Sequence, residues 1–139
     1  MAEFNKLSQQ RLEGCHPDLQ VLFNEVVLHF DCTVLVGPRG QEEQDKAFNE
    51  GKSKLKYPNG MHNKTPSLAV DVAPYPIDWK DKDRFYYFAG FVMAIAAYLK
   101  IGGAISHGIR WGGDWDGDKD LHDQTLYDLV HFEILENEA

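Results

Sequence analysis

The sequence predicts an α+β domain built on a small, mainly antiparallel sheet with helices packed against it. Three observations carry that prediction. Apolar residues recur at helical spacing in two stretches. Short β-branched or alternating runs, each closed by Gly or Pro, lie between the helical segments. Helices and non-consecutive strands then follow one another in an order that suits such a sheet.

Pro17 suits the first turn of a helix, where its missing N–H costs nothing, and Leu19, Val21, Leu22, Val26, Val27 and Phe30 continue at helical spacing. That predicts a helix over 17–29. Residues 32–36 are a β-branched run ended by Gly37-Pro38, hence a buried strand. A polar stretch rich in helix formers, with Ala47 and Phe48 as its apolar contacts, predicts a helix over 41–52. Residues 54–66, with Pro58-Asn59-Gly60, read as a loop. A second strand over 68–73 stops at Pro74 and Pro76. The longest helix, over 81–101, has an acidic start and ends at Gly102-Gly103. A short strand over 109–111, an Asp-dense loop over 114–123 and an alternating strand over 129–135 complete the chain.

The 139 residues fit one domain, 1–139, with its core at about 17–135. A hydrophobic share of 43% is a globular balance, and a net charge of -8 argues against a general nucleic-acid binder. Cys15 and Cys32 are too few for a zinc ribbon and read as reduced thiols. The N-terminus lacks the basic and apolar regions of a signal peptide. The apolar stretch over 85–101 falls short of the roughly 20 residues of a membrane span. The expectation is a soluble monomer that stays in the cytoplasm unless another factor releases it.

Three residues stand out chemically. Catalytic zinc takes three protein ligands from His and carboxylates and leaves a position for water, and His62, Asp71 and His131 could supply such a set. Asp71 sits inside an apolar run, where a charge is costly to bury unless paired or metal-bound, and it shares its strand face with the small Ala69 and Ala73. Taken singly, a solvated strand Asp or a hydrogen-bonded core His accounts for these residues better than a ligand does. Asp128, three residues before His131, is placed for a general base, although Asp-x-x-His is frequent by chance.

Residues 61–74, MHNKTPSLAVDVAP, followed by 128–133, DLVHFE, resemble the zinc peptidases related to D-Ala-D-Ala carboxypeptidases and dipeptidases. The resemblance is nearest to the L-alanyl-D-glutamate endopeptidases that tailed phages use as endolysins. That pattern runs His, a short spacer, Ala-x-Asp and later a carboxylate-x-x-His, onto which His62, Ala69, Asp71, Asp128 and His131 fall. It implies the fold shared by hedgehog domains and D-Ala-D-Ala peptidases, with zinc on His62, Asp71 and His131 and Asp128 as base. Upstream, Val36-Gly37-Pro38-Arg39-Gly40, Glu43-Gln44 and Gly51-Lys52-Ser53 are similar to the family's Gly-x-Arg, Gln and Gly-x-Ser segments. Arg39 would then hold the substrate; the structural alternative is an Arg that caps a strand–helix turn. Residues 110–115, RWGGDW, resemble the family's Gly-rich Trp segment. Two departures are the spacer from His62 to Asp71, longer by two residues, and Gly60 where a Ser is common.

The implied reaction is zinc-assisted hydrolysis of a peptidoglycan stem peptide between L-Ala and D-Glu, with D-Ala–diaminopimelate or D-Ala-D-Ala as alternative bonds. A chain without a wall-binding domain suits a phage endolysin made in the host cytoplasm and acting on a thin periplasmic wall after release. One rival is an HD-type phosphohydrolase using His62 and His122-Asp123, although such pairs belong on helices. The other is a non-catalytic zinc-containing binding module, as in hedgehog signalling domains. Asp114, Asp116 and Asp118 alternate around Gly117 and are candidate calcium ligands; a solvated acidic loop is the plainer reading.

Overall fold

The computed structural model describes residues 2–123 and 127–136. Its elements are α1 (Lys6–Glu13), α2 (Pro17–His29), β1 (Cys32–Val36), α3 (Gln41–Asn49), a single 3-10 turn (Met61–Asn63), β2 (Ala69–Pro74), α4 (Lys82–Ile101), β3 (Ile109–Gly112) and β4 (Asp128–Ile134). The strands form one sheet in the order β1-β2-β4-β3, with every neighbouring pair antiparallel. This is the α+β architecture expected from the sequence. The sheet's central pair, β2 and β4, joins segments some sixty residues apart through the register Asp71↔His131.

Two layers meet at the core. Leu19, Leu22, Phe23 and Val26 of α2 and Phe88 and Val92 of α4 pack with Val34, Val70, Val72, Phe132 and Ile134 of the sheet, all at most 1% exposed. The Phe23 and Phe132 rings meet edge to face at 5.3 Å. Burying a Leu or Phe of this kind contributes about 1.5–3 kcal/mol. Period-two alternation on β2 sends Val70 and Val72 towards the helices and Ala69, Asp71 and Ala73 to the other face. That second face carries the site.

Helix α4 has 20 residues and a mean hydropathy of 1.2, the length and composition of a membrane span, which the sequence reading had placed out of reach. Its Phe85, Phe88, Ala89, Val92 and Ala96 are buried within this fold, so one face serves as a core stripe. Cys15 and Cys32 are buried free thiols. Burial pushes both thiols up to about 12, helped by the charges of Asp71 and Asp31 respectively.

Helix α1 was not expected. It is polar because it seals the edge strand β1: Ser8 Oγ accepts from the Val34 N–H at 3.0 Å, and Arg11 donates to the Val34 carbonyl at 3.0 Å. Asn5 caps it by accepting from the Ser8 N–H. Gly37 lies so close to the Arg11 backbone that any Cβ there would collide with it. The 3-10 turn likewise falls in the segment read as loop.

Asp18, at the start of α2, is a clamp rather than a surface charge. Its Oδ2 accepts from the backbone N–H groups of Ser106 and His107 and from His107 Nδ1, at 2.9, 3.1 and 2.8 Å. Burial alone would raise its carboxyl, but these bonds and the charge of His16 hold it below its ordinary value.

Candidate active site

Four segments bring the sequence-derived residues to one cleft. His62 sits on the 3-10 turn, Asp71 mid-way along β2 and His131 opposite it on β4. Arg39, from the turn after β1, and Asp128, at the start of β4, line the same cleft. The loop between Val36 and Arg39 is laced to the 3-10 turn. Arg39 N–H donates to the His62 carbonyl at 2.8 Å, and Asn63 donates to the Arg39 carbonyl at 2.9 Å.

Asp71 Oδ1 is the meeting point. His62 Nε2 lies 3.1 Å from it and His131 Nδ1 3.2 Å. The Asp71, His62 and His131 residues are only 8%, 4% and 8% exposed, and one donor atom from each lies within 4.8 Å of the others. The remaining ring nitrogens are occupied. His62 Nδ1 meets the Gly37 carbonyl at 2.8 Å, and His131 Nε2 meets Glu133 Oε1 at 2.8 Å. Two imidazole nitrogens and a carboxylate converge, each imidazole steadied from behind by an acceptor, and that donor set fits zinc.

The electrostatics follow from burial against charge. Burial would raise Asp71, but hydrogen bonds and charge from His131 and His62 hold its carboxyl well below the usual range. Burial would lower His131; the Asp71 and Glu133 carboxylates, with the charge of Asp128, raise it to about 9. Asp128 is pushed up by burial and by the charge of Asp71, partly offset by His131, His62 and Arg39. A carboxyl raised in this way is suited to exchanging protons. Gly112 pairs with Asp128 at a bulge in the β3–β4 ladder, where any Cβ would collide with the Asp128 backbone.

Arg39 points into the cleft, with NH2 3.9 Å from Asp71 Oδ2 and NH1 donating to Gln44 Oε1 at 3.2 Å. It does not cap α3, whose N-cap is Gly40 with no side-chain bond. Gln44 is 1% exposed and ties Arg39, Asn63, Ser53 and the Leu55 carbonyl together. At Gly60, where relatives were expected to carry Ser, a Cβ would lie 2.7 Å from Asn63 Oδ1.

Three contributors had no role in the sequence reading: Glu133, Gln44 as a hub, and Trp115, whose ring lies 5.5 Å from the His131 ring. Glu133 was legible in principle. It lies two residues beyond His131 on a strand and therefore on the same face.

The acidic loop is separate. Asp114, Asp116 and Asp118 bring oxygens within 4.8 Å of one another, and Gly117 turns with φ 70°. Carboxylates there also bind the loop backbone, as in Asp114 Oδ2 accepting from the Lys119 N–H at 2.9 Å. His122 follows on a turn and not a helix, contrary to an HD-type site. His16, Asp18 and His107 form a further cluster of possible donors. Its atoms are engaged otherwise, because His16 Nδ1 accepts from the Asp18 N–H and Asp18 Oδ2 already takes three donors.

The chain is similar to known proteins in sequence and in fold. A family model described as phage L-alanyl-D-glutamate peptidase matches residues 1–135. An L-alanyl-D-glutamate peptidase of Escherichia phage T5 is 28% identical over 141 residues, spanning 96% of this chain and 98% of that protein. The crystal structure of the Serratia marcescens L-Ala D-Glu endopeptidase ChiX shares the fold, with a TM-score of 0.73 at 24% identity. The match covers 96% of this chain and 91% of that one.

Proposed function

The chain belongs to the phage L-alanyl-D-glutamate peptidase family, and from that premise we propose that it is a zinc-dependent endolysin cutting stem peptides between L-Ala and D-Glu. The observation that carries the zinc assignment is the convergence of His62 Nε2 and His131 Nδ1 on Asp71 Oδ1. His62, Asp71 and His131 hold the metal. Zinc bound there would lower the pKa of a water and polarise the scissile carbonyl.

The remaining chemistry belongs to the chain. Asp128 takes a proton from the attacking water and returns it to the departing amine. Arg39, held by Gln44, orients the peptide through a carboxylate or carbonyl oxygen. Retention of Asp128 beside the donor set favours turnover over a binding module. The enzyme acts as a monomer, made in the host cytoplasm and reaching the periplasmic wall after release. Residues 114–120 are the calcium candidate, supported by Asp114 Oδ1, which is buried without a hydrogen-bond partner among the described residues. Calorimetric titration with calcium, repeated on Asp116→Asn, tests that loop.

Mass spectrometry of Gram-negative peptidoglycan digested with and without a chelator tests the whole reading. Chelator-sensitive release of glycan strands carrying only L-Ala, with peptides beginning at D-Glu, is expected. Peptides ending at D-Ala–diaminopimelate or D-Ala-D-Ala bonds would overturn the bond assignment, and no cleavage by zinc-loaded protein would favour the binding module.

A further inference from the structure

Glu133 and Arg110 face each other across the β3–β4 ladder on the same sheet face as His131. Arg110 NH2 lies 2.6 Å from Glu133 Oε2, while the other carboxylate oxygen, Oε1, meets His131 Nε2 at 2.8 Å. The Glu133 residue is 4% exposed. Arg110 is held in turn by Trp115, its guanidinium carbon 5.5 Å from the indole centroid, and the same indole packs on the His131 ring. Each oxygen of the carboxylate therefore has one defined partner, and the imidazole is fixed both along its edge and across its face.

We propose that Glu133, anchored by Arg110, is a positioning residue that keeps His131 protonated on Nε2, so that Nδ1 is the nitrogen offered to the metal. The inference rests on the zinc reading above. An ionised carboxylate accepts and does not donate, so it pairs only with a protonated Nε2. The neutral imidazole then has its lone pair on Nδ1, which faces Asp71 Oδ1 at 3.2 Å. His62 is set in the opposite sense. The Gly37 carbonyl accepts from Nδ1, leaving Nε2 for the metal. The two histidines thus present different nitrogens because one is backed by a backbone carbonyl and the other by a carboxylate. Arg110 stops the Glu133 carboxylate from turning away, and a bidentate-capable guanidinium suits that task better than Lys.

The test is zinc affinity of the full chain, by competition with a chromophoric chelator, together with the ¹⁵N spectrum of the histidines in zinc-loaded wild-type protein. Glu133→Ala should lose about 100-fold in affinity and Glu133→Gln, which keeps an acceptor oxygen, about 10-fold, the range expected when a ligand's hydrogen-bond partner is removed. Arg110→Gln should lose about 10-fold. The wild-type spectrum should show His131 protonated on Nε2 and His62 protonated on Nδ1. Folded Glu133→Ala protein that binds zinc within twofold of wild type would overturn the inference. So would His131 protonated on Nδ1, a result that needs no variant to fold. Wild-type protein that takes up no zinc would instead bring down the zinc reading itself.

Discussion

Asp71 and His131 face each other across the β2–β4 ladder, and a single oxygen, Asp71 Oδ1, lies 3.2 Å from His131 Nδ1 and 3.1 Å from His62 Nε2. A strand register thus sets two of the three proposed ligands opposite each other, and only His62 must be brought in from a turn. Asp71→Ala should abolish zinc uptake and cleavage. It also leaves the buried His131 without its carboxylate partner, with a loss of about 3–5 kcal/mol. Metal analysis and urea unfolding of the variant check both parts; zinc bound at wild-type stoichiometry would refute the assignment.

Asp128 separates chemistry from metal binding. Asp128→Asn should lower kcat by about 10²–10⁴-fold while zinc binding stays within a fewfold of wild type. Muropeptide kinetics and chelator competition on the same preparation measure this. A variant with near-normal kcat would remove Asp128 from the role of base.

Gly112 is required by close approach. A methyl group there would strike the Asp128 backbone at the β3–β4 bulge. Gly112→Ala should destabilise the fold by about 1–3 kcal/mol, as overpacking does, and lower cleavage more than zinc affinity. Denaturant unfolding with parallel activity measurement decides it, and a neutral substitution would mean that the ladder relaxes there freely.

The Asp18 clamp predicts acid sensitivity of defined sign. Its carboxyl is held below the ordinary value of 3.8 in the folded chain. Its contribution is therefore fully present above that value and lost as pH falls through the lowered folded one. Wild type should be more stable than Asp18→Asn at pH 7, and the gap should shrink as pH falls below 4. Urea unfolding at pH 7 and pH 3 tests this; a gap that widened in acid would contradict the clamp.

Much of the architecture was legible because its determinants are local. The β-branched runs of β1 and β2, the alternation of β4 and the apolar spacing of α2 are all carried by neighbours in sequence. Helix α1 was not, since Ser8 and Arg11 are polar in order to satisfy Val34, some 25 residues away. Gln44 has the same character: on a polar helix it reads as solvated, yet it is buried because its partners come from three other segments. In the site, the family pattern picked out the residues that the fold gathers into one cleft, His62, Asp71, His131, Arg39 and Asp128. It contained the residues that steady them but gave them no role, since the Gly37 carbonyl behind His62 is 25 residues away and Arg110 behind Glu133 is 23. The apolar stretch over 85–101 read as a helix too short for a membrane span, whereas α4 reaches that length and composition while burying one face in the core.

The central claim, that His62, Asp71 and His131 form a zinc centre for peptide hydrolysis, is tested most directly by titrating zinc into chelator-treated protein while muropeptide cleavage is followed. Cleavage should return in proportion to added zinc and reach its plateau at about one equivalent per chain, one ligand set holding one ion. Full cleavage by metal-free protein, or a plateau unaffected by Asp71→Ala, would contradict it.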